Sequence, residues 1–191
     1  DNYGALARYI ADAGHEGEKC LASWCAGCAA DDDYDLGIIE AQVVQSMNTR
    51  SQKEKTYHLL ISFRPEDEAK LTPEVFKAIE ERFAAALGFS EHQRHCGTHK
   101  NTNNIHMHIS YSMIHPERLT RHEPFRDYAT RDKLCRELER EYGLTVDNGR
   151  SSAGKTPSRR KPPPSKRRPG RSLSSPMPND TKIKFLKFDP Y

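Results

Sequence analysis

The chain has 191 residues, 30% of them charged, with a mean hydropathy of −0.87 and a formal net charge of +3. That length suits one ordinary domain plus an appendage, and no apolar run approaches the about 20 residues of a membrane helix, so membrane insertion is not expected. The five cysteines are odd in number and scattered, with no secretory leader in view, which points to reduced thiols in a cytoplasm.

The charge is unevenly spread. Residues 150–179 hold nine of the 30 basic groups and no acid, and residues 180–191 hold three Lys and two Asp. Residues 1–149 are left with 18 basic against 25 acidic groups, a net −7. A simple nucleic-acid binder would show the opposite sign. Attraction to a polyanion would therefore fall to a basic face of the domain or to the tail.

The chain begins at Asp1 rather than Met and reads as a piece of a longer protein. A first helix is predicted over about Tyr3 to Ala13, closed by Gly14. Lys19 to Gly27 is a candidate strand, with Leu21, Ser23 and Cys25 alternating against Ala22 and Trp24. Cys25-Ala26-Gly27-Cys28 is a C-x-x-C with no second pair after it. It reads better as small apolar residues on or near a strand than as a zinc or redox site. Asp31 to Asp35 supply acidic cap and first-turn residues for a helix running to about Asn48, where Ile39, Val43 and Met47 recur at helical spacing.

Thr56 to Arg64 alternates as a central strand. Thr72 and Pro73 open a helix, as N-cap and first helical residue, and Gly88 ends it. Its buried stripe is expected to be Val75, Phe76, Ile79, Phe83, Ala86 and Leu87. His92 to His99 and Asn104 to Ile114 read as an antiparallel pair. Asp127 to Tyr142 is a last helix, with Tyr128, Cys135, Leu138 and Tyr142 on one face and Gly143 as its stop. Strands interrupted by helices give an α+β fold.

From Gly149 the sequence turns rich in Ser, Pro, Lys and Arg, includes Pro162-Pro163-Pro164, and loses apolar periodicity, as a disordered segment does. Three regions are expected: a folded domain over 1–148, a basic linker over 149–180, and a terminal segment over 181–191. In the last of these, the alternation around Ile183, Phe185 and Phe188 suits either an added strand or docking on a partner.

The stretch from His99 to Ser110 sets three histidines as H-x6-H-x-H. His106 and His108 alternate with Ile105, Met107 and Ile109, so both leave one face of a strand. Thr102, Asn103 and Asn104 favour a turn that brings His99 back to them. Three neutral imidazoles converging on a point suit a divalent cation.

Two further fragments extend the pattern: Leu6-Ala7-Arg8-Tyr9-Ile10 near the start, and Tyr57-His58-Leu59-Leu60-Ile61-Ser62-Phe63-Arg64 in the central strand. In this order with the histidine run, the sequence resembles the relaxase (mobilisation nuclease) domain of the HUH endonuclease superfamily. It is most similar to the MOBP class of broad-host-range conjugative plasmids. The resemblance runs from about Leu6 to Asn148. It includes Gly88-Phe89-Ser90-Glu91-His92-Gln93-Arg94, Ile114-His115-Pro116, and Tyr142-Gly143-Leu144.

The resemblance implies an antiparallel, palm-like sheet with helices packed against it. The family has a short strand before the first helix, which this chain lacks or which lies outside it. The implied activity is site- and strand-specific nicking and rejoining of DNA at a conjugative transfer origin through a covalent 5′-phosphotyrosine. Tyr9 falls at the nucleophile position, with Tyr3 and Tyr34 as decoys. Ser62 matches the serine that holds DNA near the nick. His99, His106 and His108 match the metal ligands, for Mg or Mn first and Zn, Co or Ni as alternatives. His99 or His58 is the candidate base.

Arg64, Arg94 and Lys100 are candidate phosphate contacts, and Trp24 either stacks on a base or belongs to the core. The family carries an aspartate two residues after the first histidine, where this chain has Asn101, a weaker orienting group for an imidazole. The implied partners are single-stranded origin DNA, accessory origin-binding proteins and a coupling protein. The setting is the bacterial cytoplasm, with transfer to a recipient cell as a further expectation. Two alternatives are a noncatalytic single-stranded-DNA module of the same fold and a histidine-triad nucleotide hydrolase. The latter would have a further histidine where Ser110 stands.

Overall fold

The computed structural model describes residues 2–11, 19–100, 103–146 and, as backbone, 181–184. The elements in chain order are α1 (Tyr3–Ala11), β1 (Lys19–Ala26), α2 (Tyr34–Met47), β2 (Thr56–Phe63), a 3-10 turn (Pro65–Lys70), α3 (Pro73–Leu87), β3 (Arg94–Lys100), β4 (Ile105–Ser112), α4 (Tyr128–Glu141) and β5 (Thr181–Lys184). The strands form one sheet in the order β1-β3-β4-β2-β5. The first four are antiparallel neighbours, and β5 lies parallel to β2 at the edge. The α+β expectation holds. The expected linker over 149–180 and Asn101 lie outside the described residues.

Local chemistry sets the helix starts. Asp33 caps α2 by accepting from the Leu36 N–H at 3.0 Å. Thr72 caps α3, its hydroxyl oxygen accepting from the Val75 N–H, Pro73 follows, and Gly88 takes the left-handed turn at φ 79° that ends the helix.

The sheet has two unlike faces, because alternate residues point opposite ways. Leu59, Ile61 and Phe63 of β2 and Ile105, Met107, Ile109 and Tyr111 of β4 point to one side. There α3 and α4 cover them with Phe76, Ile79, Phe83, Leu87, Leu134 and Leu138 in one continuous core. The other side carries His58 and Ser62, His106 and His108, His95, Gly97 and His99, and Cys25. Helices α1 and α2 lie over part of this polar side, where Tyr3, Ala7, Ile38 and Ala41 make a small second core. A sheet whose second face is polar and only partly roofed leaves room for chemistry there.

The buried stripes of the helices differ in detail from their spacing, and Trp24 takes the core reading of its two. Ile39, Val43 and Met47 are 51–55% exposed, and α2 buries Ile38, Ala41 and Val44 instead. In α3 the buried alanine is Ala84 rather than Ala86, and Tyr128 of α4 is exposed. Trp24 packs on the α3/α4 core, away from the polar face, so it is not placed to stack on a base at the histidines.

Candidate active site

The hairpin of β3 and β4 places His99 directly opposite His106 and Gly97 opposite His108. Residues opposite one another share a face, so the three histidines of the sequence motif come together. The His99 and His108 ring centroids are 4.9 Å apart. Across β2, Ser62 stands opposite His106. His58 stacks on His108 at 5.4 Å, with its Nε2 3.2 Å from His108 Nδ1.

Helix α1 brings Tyr9 to this cluster. Its ring meets His99 and His108 edge-on, with centroids 6.1 and 6.0 Å away, and it is 42% exposed. The two decoys are engaged elsewhere. Tyr3 is 1% exposed, with its hydroxyl 2.7 Å from His95 Nδ1. Tyr34 donates to the Ala7 carbonyl at 2.8 Å. Burial pushes both phenols up, which makes each a poorer source of phenolate.

The seat of α1 depends on Gly97. A Cβ there would lie 2.6 Å from the Ile10 carbonyl oxygen, so only glycine lets the end of the helix come so close to β3. The approach puts that carbonyl 2.6 Å from His99 Nε2, which donates to it. A neutral ring with its proton on Nε2 keeps its lone pair on Nδ1. The helix thus fixes both the position of Tyr9 and the tautomer of His99. Gly97 goes unmarked in the sequence, because nothing in the strand pattern singles it out.

A divalent cation fits this face by donor chemistry. Burial and the neighbouring imidazoles push His108 down to about 3, so it is a neutral ligand near pH 7. As the rings stand, however, the three nitrogens are not drawn together as tightly as another set. Among the described residues, the group whose ligand atoms all lie within 4.8 Å of one another is Cys25, Cys28 and His95. His108 Nδ1 is turned to His58, so His99, His106 and His108 share a face and register but need ring rotations to share an ion.

The expected phosphate contacts fare unevenly. Arg94 is 6% exposed and its Nε pairs with Glu80 Oε1 at 2.5 Å, with further bonds to the Ser90 and His92 carbonyls. It belongs to the core side of the sheet, and as a phosphate contact it is corrected. Lys100 is partly exposed and pairs with Glu68. Arg64 is half-buried just past the end of β2, two residues on from Ser62.

A model of the MobA/VirD2-like relaxase nuclease domain matches residues 9–144. Two proteins from Escherichia coli, each called Protein TraI, are 42% and 40% identical over 147 residues, which is 77% of this chain and 20% and 19% of theirs. The chain thus spans about a fifth of the length of these relatives. No solved structure matches. With Tyr9, the histidine cluster and strands β1 to β4 all inside the matched span, the chain belongs to the relaxase family as a MobA/VirD2-like nuclease domain.

Proposed function

We propose that this chain nicks and rejoins one DNA strand at a conjugative transfer origin, with Tyr9 as nucleophile. The observation that carries the reading is the half-exposed Tyr9 ring set edge-on against His99 and His108. The Tyr9 phenol oxygen forms a bond to phosphorus as the bond to the 3′ oxygen breaks. The phenol proton passes to a neutral imidazole of the cluster, and the departing oxygen takes up a proton as a 3′ hydroxyl. The 5′-phosphotyrosine keeps the phosphoester energy, so the same atoms run in reverse to rejoin the strand.

The chain's own groups divide the work. A tyrosine with a pKa of about 10 is mostly protonated near pH 7, so a base must stand close. His99, held by Ile10, offers Nδ1 for that purpose, and His58 lies one imidazole further, through His108. Ser62, which stands opposite His106, would hold the strand beside the nick. A divalent cation, Mg or Mn before Zn, Co or Ni, held by His106 and His108, with His99 as third ligand where His58 is the base because the single lone pair on His99 Nδ1 serves one role at a time, would supply a Lewis acid for a non-bridging phosphate oxygen.

The substrate is single-stranded origin DNA, met in a bacterial cytoplasm with accessory origin-binding proteins and a coupling protein, and the adduct would travel with the strand. No helix among the described residues is long and apolar enough to cross a membrane.

The test is trapping of the adduct. Native chain incubated with single-stranded origin DNA should give a complex that survives denaturant, and chelator should abolish it until Mn or Mg is returned. Tyr9→Phe should bind the same DNA and give no adduct. An adduct of undiminished yield in Tyr9→Phe would move the nucleophile to another tyrosine. DNA binding without any adduct in the native chain would leave a noncatalytic single-stranded-DNA module.

A further inference from the structure

The tightest ligand set in the described residues lies beside the candidate active site, under α2. Cys25 lies at the end of β1, Cys28 follows it in the next turn, and His95 sits opposite Cys25 on β3. All three are buried, at 6%, 8% and 0% exposure. We propose that Cys25, Cys28 and His95 form a structural site for a zinc-type divalent cation, which ties the two helices roofing the polar face to β1 and β3. The proposal stands whether or not the chain nicks DNA.

The geometry supports it in three ways. The donor atoms all lie within 4.8 Å of one another. A tetrahedral zinc with bonds of about 2.3 Å to sulfur and about 2.0 Å to nitrogen needs its ligands roughly 3.5–3.8 Å apart, so small rotations close the set. The atoms also converge on one spot. A Cβ on Gly37 of α2 would lie 3.1 Å from His95 Nε2, 3.2 Å from Cys25 Sγ and 3.3 Å from Cys28 Sγ. Only a residue without a side chain leaves that spot open. Finally, the ligand turn is built in advance. Gly27 has φ 73° and a Cβ there would meet the His92 carbonyl at 2.5 Å, while Asp31 accepts from the Cys28 N–H at 2.8 Å.

The imidazole is presented for the role. The Tyr3 hydroxyl lies 3.3 Å from the Ser110 carbonyl oxygen and 2.7 Å from His95 Nδ1. A hydroxyl that donates to Ser110 accepts from Nδ1–H, which leaves the lone pair on Nε2, the nitrogen nearest the thiols. Such outer hydrogen bonds orient metal-binding histidines in general. Nε2 is also 3.1 Å from the Tyr34 carbonyl oxygen, so an ion on Nε2 would break that bond, and the carbonyl would shift aside or join as a further ligand.

The electrostatics agree. Burial pushes the Cys28 thiol up to about 12 and His95 down to about 4, so the pocket holds neutral groups by preference. Binding releases two thiol protons to solvent, and two thiolates with one dication leave no net charge to bury. Asp31, Asp33, Asp35 and Glu40 surround the pocket with negative charge that favours a cation.

The consequence reaches the nucleophile. Tyr3 is in the first turn of the helix whose far end carries Tyr9, and it rests on His95. An ion at this site would anchor the base of α1 and the start of α2 at once.

Cobalt(II) titration of the full, reduced chain under anaerobic conditions tests the site. One equivalent should give a thiolate-to-cobalt charge-transfer band in the near ultraviolet, displaced by zinc. Zinc should also raise the unfolding temperature of the native chain by at least about 4 °C. Cys28→Ser and His95→Ala should lose the band or weaken cobalt binding at least 100-fold. Cys135→Ala, in α4 on the far face, should keep it, as should the double variant His106→Ala/His108→Ala, because imidazoles give no thiolate band. Absence of the band in the reduced native chain would overturn the proposal without any variant having to fold. Its persistence at full strength in Cys28→Ser would do the same.

Discussion

Gly97 and Ile10 meet backbone against backbone, with the place of a Gly97 Cβ only 2.6 Å from the Ile10 carbonyl oxygen. The obstruction is main chain, so no rotamer relieves it. Gly97→Ala should push the end of α1 off the sheet, lengthen the His99–Ile10 bond and carry Tyr9 away from its imidazoles. Overpacking of this kind costs about 1–3 kcal/mol, while misplacing a reacting group by about 1 Å can cost 100-fold in rate. Adduct yield should therefore fall at least about 100-fold while thermal unfolding remains cooperative. An active Gly97→Ala would show that α1 is not held in place by this contact.

Arg94 and Glu80 make the case for reading charge through the fold. Both are nearly fully buried and lie 2.5 Å apart. Burial works to raise Glu80 while the guanidinium of Arg94 works to hold it ionised. Removing one partner strands the other's charge in the interior, at about 3–5 kcal/mol. Glu80→Ala should thus lower the urea midpoint sharply, and Glu80→Leu/Arg94→Met should recover most of the loss. If Arg94 were a phosphate contact, the double variant would also lose DNA affinity. It should instead bind origin DNA with the salt dependence of the native chain.

The strands and helices were legible because their periodicities are plain. Leu59, Ile61 and Phe63 alternate, Phe76, Ile79 and Phe83 recur at helical spacing, and Thr72, Pro73 and Gly88 mark the ends of α3. The three histidines were legible because all lie in one hairpin, where register is nearly fixed by proximity. Arg94 misleads in the sequence because its partner Glu80 is on another element, and a positive charge beside a motif looks like a DNA contact until its partner is found. The thiol–imidazole cluster was hidden for a similar reason. Cys25 and Cys28 announce themselves as a pair, but their third member enters through the β1–β3 register, and His95 resembles an idle neighbour of His99. On α2, Ile39, Val43 and Met47 have true helical spacing. Spacing reports that a face is apolar, and does not say which face the sheet receives.

His92 sets an acid limit on the fold. It is 3% exposed, its Nδ1 lies 2.8 Å from the Ser112 carbonyl, and burial pushes it down to about 4. Its unfolded value is about 6.5. Between these two values the unfolded chain binds a proton that the folded chain does not, so stability falls as pH falls. The slope is up to about 1.4 kcal/mol per pH unit from pH 6.5 toward 4, with no contribution above that window. Urea midpoints measured at intervals of about half a pH unit should decline through this range in the native chain. His92→Gln should decline less steeply by close to one proton, and an equal slope would mean that His92 is charged in the fold.

The charge split gives the last prediction. Residues 1–149 carry −7, yet the proposed substrate is a polyanion, and the nine basic residues from Arg150 to Arg171 are the largest source of phosphate attraction in the chain. Arg94 is committed to Glu80 and Lys100 pairs with Glu68, which leaves the folded part still fewer cations to offer. The tail's Ser, Pro and basic composition has no pattern for reading bases, so its attraction should be indifferent to sequence. Each phosphate neutralised on a single strand contributes roughly −0.7 to the slope of log K against log salt. Ending the chain after Gly149 should weaken binding to any oligonucleotide and flatten that slope. Discrimination between origin and scrambled sequences should survive, because it belongs to the folded domain. An unchanged slope would mean that these residues do not touch DNA and serve instead as a spacer on the carboxyl side of the nuclease domain.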